Sequence, residues 1–101
     1  MFTKSILITG PQGSGKTTKI GSILTEYPKR DVCLLYTQEQ LRVLTPGKSI
    51  YVYQEFVPNE KQIDHLRRLI MHHNMIFCIE TQSKLDEFDQ DFLYLFDVIE
   101  L

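Results

Sequence analysis

The sequence predicts an α/β protein in which a mainly parallel, five-stranded sheet is the middle layer of a three-layer α/β/α arrangement. Three observations predict this class. Apolar runs typical of strands alternate with helix-like stretches, as in parallel sheets with helical crossovers. The run VCLLY at residues 32–36 is continuously apolar, as expected for a strand buried on both faces. A glycine-rich loop at residues 10–17 lies between the first strand and the first helix.

The first half of the chain contains three of the predicted strands, at residues 5–9, 32–36 and 49–53. A helix is predicted from residue 16 to about residue 26, because Pro28 disfavours helix in the residue before it. A short helix over residues 37–44 follows the second strand, and Pro46-Gly47 predicts a turn before the third.

The second half contains the most clearly marked helix, at residues 60–73. Asn59 is a suitable N-cap for it, and Gln62 can complete a capping box. The last two strands are predicted at residues 75–79 and 96–101. Between them, Ser83 and Asp86 have capping-box spacing and predict a helix with one apolar face.

Composition limits the classes of function. With 101 residues, 43% of them apolar, the chain is predicted to be a single domain spanning residues 1–101. A net charge of −2 gives no general reason to bind nucleic acid or an anionic membrane, although a local basic patch is compatible with it. We expect a cytoplasmic protein, because no apolar run is long enough to span a bilayer and no signal peptide is recognisable. Cys33 and Cys78 lie in apolar runs and are expected to be free thiols.

The glycine-rich loop fits the pattern G-x-x-x-x-G-K-[ST] at every fixed position. Backbone N–H groups can approach a phosphate chain closely where glycines remove the side chains. Lys16 can place a charge on the β- and γ-phosphates, and the Thr17 hydroxyl can ligate Mg²⁺. The dipole of the following helix favours the same anion. The residues predicted to hold the nucleotide phosphates are Gly10, Pro11, Gln12, Gly13, Ser14, Gly15, Lys16, Thr17 and Thr18.

This loop resembles the Walker A motif of P-loop NTPases, and the resemblance implies a P-loop NTPase fold that binds ATP with Mg²⁺. The third strand leads into Gln54-Glu55, which looks like a Walker B motif with an amide in place of the first carboxylate. The resemblance puts Gln54 at the metal-supporting position and makes Glu55 the general base that activates water. The fourth strand leads into Thr81-Gln82, which match the polar sensor of AAA+ and related ATPases. Gln82 is the better candidate of the two.

Taken together, the chain is similar to a minimal AAA+ or additional-strand (ASCE) ATPase core. Lys16, Glu55 and Gln82 are the implied catalytic residues, with Thr17 and Gln54 at the metal. Two departures from the family are the amide of Gln54 and the lack of an arginine just before the last strand. We expect an ATP-binding protein and a Mg²⁺-dependent ATPase that assembles with itself or with a protein partner, and by analogy serves nucleic-acid handling.

Three alternatives remain. The departures favour a non-catalytic module whose partner binding depends on its nucleotide. The stretch Ser83-Lys84-Leu85-Asp86 resembles the N-K-x-D guanine-reading motif of GTPases. A small-molecule kinase would share the phosphate loop but needs an arginine-bearing lid, for which there is little room.

Other polar residues have simpler interpretations. His65 and His72 could hold a metal, but solvated histidines on a polar helix face are the expected outcome without further ligands. Arg67 and Arg68 could be an arginine finger or contact nucleic acid, and a charged surface is the expected outcome for them as well.

Overall fold

The computed structural model describes residues 3–44 and 46–101. It contains a five-stranded sheet in which every paired strand is parallel, so the predicted α/β class is confirmed. The strands are β1 (Ser5–Thr9), β2 (Val32–Leu35), β3 (Ile50–Tyr53), β4 (Phe77–Thr81) and β5 (Phe96–Glu100). The α-helices are α1 (Lys16–Leu24), α2 (Gln38–Arg42), α3 (Glu60–His73) and α4 (Gln90–Leu93), with 3₁₀ helices at Lys29–Asp31 and Leu85–Glu87.

The strand order is β2-β3-β4-β1-β5, so β4 lies between β1 and β3. In the register of the sheet, Thr9 at the end of β1 is paired with Thr81 on one side and Glu100 on the other. The segments that follow β1, β4 and β5 therefore leave the sheet at one edge. Ligands of open parallel sheets bind at this carboxyl edge.

Helices cover both faces of the sheet. Alternate residues of β3 point to opposite sides: Tyr51 and Tyr53 belong to the core under α2, α3 and α4, whereas Ile50 and Val52 belong to the core under α1. This alternation is what a strand with continuous apolar character provides. The result is a three-layer arrangement with one helix on one side and three on the other, among the described residues.

The second strand differs from its prediction. Its apolar run was expected to be buried on both faces, but the Leu34 side chain is 44% exposed. Strand β2 is an edge strand, and α1 packs over the middle of the sheet rather than over this edge. Cys33 is accordingly only half-buried, whereas Cys78 on the central β4 is fully buried, and both are free thiols.

The prediction that one continuous helix follows Ser83 is wrong. The chain forms a 3₁₀ turn at Leu85–Glu87 and then the separate four-residue helix α4. Local side-chain bonds interrupt the helix, because the Glu87 carboxylate accepts from Lys84 N and Asp89 Oδ1 accepts from Phe92 N. The cap of α4 is therefore Asp89.

Helix α3 has the predicted bounds. Of its predicted capping box, the Asn59 side-chain contact is present and the Gln62 contact is not. Asn59 Oδ1 accepts from the N–H groups of Lys61 and Gln62. Gln62, however, does not complete the box, because its buried Oε1 has no hydrogen-bond partner. No helix in the described ranges has the length and apolar character that crossing a bilayer needs.

Candidate nucleotide site

An open cleft of about 420 Å³ lies where the glycine-rich loop, the start of α1 and the ends of β3 and β4 meet. Six of the nine predicted phosphate-binding residues line it, together with three residues from the other strand ends. The lining residues are Gln12, Gly13, Gly15, Lys16, Thr17, Thr18, Glu55, Glu80 and Gln82. Gly10, Pro11 and Ser14 lie outside this lining.

Two glycines shape the loop for an anion. Gly13 and Gly15 have φ angles of 80° and 94°, in the left-handed region that side chains rarely adopt. No atom lies within 4 Å of the position that a Cβ would take at either residue. The loop therefore leaves free space beside its backbone, next to the N-terminus of α1.

Gly10 is under a steric constraint from the rest of the chain. A Cβ at this position would lie 2.7 Å from Ser14 Oγ and 2.8 Å from the carbonyl oxygen of Leu101. The chain after β5 packs against the loop here, and Leu101 N donates to Thr9 O at 2.8 Å. Glycine is needed at position 10 because Ser14 and the residue after β5 lie so close.

The Lys16 side chain is turned back into the protein. Its exposure is 5%, and Nζ donates to the carbonyl oxygens of Gly10 at 2.6 Å and Pro11 at 2.8 Å. Nζ also lies 3.9 Å from Glu80 Oε1. A buried ammonium needs such partners, because desolvation of an unpaired charge is costly. Lys16 thus has acceptors within the protein itself.

Glu80 is the site residue that sequence analysis missed. It is 8% exposed, and its two carboxylate oxygens have different partners: Oε1 faces Lys16, and Oε2 accepts from the backbone N–H of Glu55. Strand β4 runs two residues further than predicted, so Glu80 belongs to the strand and not to the loop after it. The signal in the sequence was a carboxylate next to the apolar run of a central strand, since such a group is rarely buried without a partner.

The two residues after β3 lie in different surroundings. Glu55 has a φ angle of 56°, unusual for a residue with a side chain, and it lines the cleft. Gln54, predicted at the metal, does not line the cleft, since its N–H donates to Leu35 O and continues the β2–β3 ladder. The sharp turn at Glu55 follows directly and is tied to Glu80.

Of the two predicted sensor residues, Gln82 lines the cleft and Thr81 does not. Thr81 is fully buried, and its Oγ1 donates to Phe56 O at 2.6 Å and accepts from Ser83 N. Gln82 is exposed and lines the cleft. Thr81 therefore fixes the local backbone, whereas the Gln82 amide is available to a ligand.

The residues of the cleft fit a magnesium ion that is bound together with phosphates. Thr17, Glu55 and Glu80, which line the cleft, have side-chain oxygens, and oxygen is the donor that Mg²⁺ prefers. Among the described residues, no group of three or more His, Cys, Asp or Glu side chains could hold an ion without other ligands.

Other candidates from the sequence lie elsewhere. Arg67 donates to both carboxylate oxygens of Asp89, at 3.2 and 3.1 Å, and pairs with Asp64, so it joins α3 to the start of α4. Lys84 and Asp86 line a neighbouring cleft beside Gly10 and Pro11, not the cleft that contains Lys16.

The thiol of Cys78, on the same strand as Glu80, should make the stability of the protein depend on pH. Burial, followed by the negative charge of Glu80, raises the pKa of its thiol from 9.0 to about 12. The unfolded chain loses this proton near pH 9, while the folded chain keeps it. The free energy of unfolding should therefore fall above pH 9, by up to about 1.4 kcal/mol per pH unit. Urea unfolding from pH 9 to 11 should show a steeper fall for the wild type than for Cys78→Ala. Equal slopes would contradict this account.

Comparison with models of known protein families gives no match, and comparison with curated proteins gives none either.

Proposed function

We propose that the chain is a P-loop ATPase that binds Mg-ATP in the phosphate cleft and hydrolyses it. The observation that supports this best is that the cleft brings Lys16 and Thr17 of the loop together with two carboxylates, Glu55 and Glu80, from the ends of adjacent strands. An anion-binding loop beside carboxylates is suited to cleaving a phosphoanhydride with water.

Phosphate binding uses the free space beside Gly13 and Gly15 and the first backbone N–H groups of α1. The Lys16 ammonium exchanges its bonds to the loop carbonyls for bonds to phosphate oxygens, which are stronger because both partners are charged. Bound Mg²⁺, held by Thr17 and the phosphates, would neutralise part of the charge that develops during hydrolysis.

The two carboxylates have separate roles in this proposal. Glu55 lies on the exposed turn and accepts a proton from the attacking water. Glu80 holds the Lys16 ammonium on one side and the Glu55 backbone on the other, so it fixes the distance between the loop and the base. Glu80, on the neighbouring strand, thereby supplies the carboxylate that the resembled motif has at the position of Gln54. Gln82 contacts the γ-phosphate through its amide.

The strand order favours an ATPase over the GTPase alternative. Strand β4 lies between β1 and β3, the arrangement of the additional-strand ATPases that the sequence resembles.

The test is Mg²⁺-dependent release of phosphate from ATP and GTP, measured side by side for the wild type and Glu55→Gln. We expect ATP turnover that falls at least about 100-fold in Glu55→Gln, a typical loss for a general base. Glu60→Gln is the matched control, because this exposed glutamate lies at the start of α3, outside the cleft.

Nucleotide binding without turnover would favour the non-catalytic module, and preference for GTP would favour the GTPase. Turnover per chain that rises with protein concentration would indicate an assembly in which a second copy completes the site.

A further inference from the structure

We infer that a groove between α2 and α3 binds single-stranded nucleic acid. Two adjoining clefts, of about 550 and 480 Å³, share Leu41, Arg42 and His65 in their walls and form what we call the α2–α3 groove. Both helices pack on the face of the sheet opposite α1, and no residue lines both this groove and the phosphate cleft. The inference therefore does not depend on nucleotide hydrolysis.

The groove is positively charged although the whole chain carries a net charge of −2. Its described walls contain one carboxylate, Glu39, against three permanent cations and two imidazoles; these basic residues are Arg42, Lys48, Lys61, His65 and His73. Within the described ranges, neither Arg42 nor Lys61 forms an ion pair. Lys48 donates to the carbonyl oxygen of Arg30, which leaves its charge uncompensated. A groove with several cations that form no ion pair is what a phosphate backbone binds.

A buried amide adds a second, independent feature. The Gln62 side chain is only 9% exposed, lines the groove, and has no hydrogen-bond partner for Oε1. A buried acceptor without a partner is unfavourable, so turning the Gln62 amide toward the groove to accept from an N–H group of a ligand gains affinity. Ring N–H groups and exocyclic amines of nucleobases are such donors, whereas a plain polyanion such as polyphosphate has none.

The groove combines cations, which can bind phosphates, with the Gln62 acceptor, which can bind the edge of a base; together they indicate a nucleic acid. Because Gln62 is buried, only a base that leaves its stack can reach it, and this indicates a single strand. Unstacked bases can turn into a groove and expose their pairing edges, but the pairing edges of a duplex are occupied.

The test is fluorescence anisotropy of labelled 12-nucleotide DNA and RNA strands with the full chain, without ATP. Wild type should bind at 50 mM salt, and Arg42→Glu combined with Lys61→Glu should weaken binding at least about tenfold and lower the salt slope by about 1.4. The matched control is Lys19→Glu with Lys29→Glu, which changes the net charge equally at exposed positions outside the groove. Absence of binding, or an equal loss in the control, would overturn the inference.

Gln62→Leu tests the role of the amide. Leucine has a similar size and removes the unpaired acceptor, so the melting temperature should stay the same or rise. We expect about tenfold weaker binding of the single strand with an unchanged salt slope, since no charge is altered. Wild-type affinity in Gln62→Leu, or binding of duplex or polyphosphate as tight as that of the single strand, would refute recognition of an unpaired base.

Discussion

Lys16→Ala is expected to weaken ATP binding by more than about 100-fold, because charge-assisted bonds to two phosphate groups are lost. Lys16 lines the cleft, and its ammonium, now 2.6 and 2.8 Å from two loop carbonyls, exchanges these acceptors for phosphate oxygens when ATP binds. Fluorescence titration with a labelled ATP analogue measures the effect directly.

The control for this variant is Lys19→Ala, which removes an exposed lysine from the next turn of the same helix and should leave binding unchanged.

Because Lys16 is buried beside Glu80, its loss leaves a buried carboxylate without its cation. We therefore expect a lower melting temperature as well as weaker binding. Lys16→Met, which keeps the aliphatic packing, should show the same loss of affinity. Binding as tight as that of the wild type by a folded Lys16→Met protein would rule out the phosphate role.

Glu80→Gln is expected to reduce ATP turnover at least about 100-fold while ATP binding stays as tight or becomes tighter. The amide can still accept from Glu55 N, so the turn after β3 is preserved, but the charge that holds Lys16 is lost. Removing a negative charge beside the triphosphate favours binding. Steady-state kinetics should show a fall in kcat without a rise in KM.

Glu100→Gln serves as the control, since this glutamate ends β5 at the same edge of the sheet and lies outside the phosphate cleft. A purely structural role for Glu80 would instead give a lower melting temperature with an unchanged kcat for the folded fraction. That result would remove Glu80 from the proposed mechanism.

Much of the fold could be predicted because local patterns determine it. The Asn59 cap marks the start of α3 within a short stretch, and the loop motif marks the start of α1. The exposure of Leu34 could not be predicted, because it depends on β2 being at the edge of the sheet, and the order of strands is set by long-range packing.

The same limit applies to the site. The loop residues were found from a contiguous motif, whereas Glu80 enters the cleft only because β4 is inserted next to β1. The predicted end of β4 was two residues too early, so Glu80 was not recognised as a strand residue. Strand ends are the least certain part of any prediction from sequence. Gly10 matched the motif, but its contact with Leu101 joins residues 91 positions apart.

The strand order also bears on how the chain folds during synthesis. Strand β1 is made first, yet its two neighbours in the sheet, β4 and β5, are made last. On the ribosome, β2 and β3 can pair soon after they emerge, while β1 and the glycine-rich loop wait for residues 77–100. Such distant pairing is slow because a long loop must close first. The nascent chain therefore exposes the apolar β1 until translation reaches the final strand, and this interval is when chaperones and aggregation compete for it.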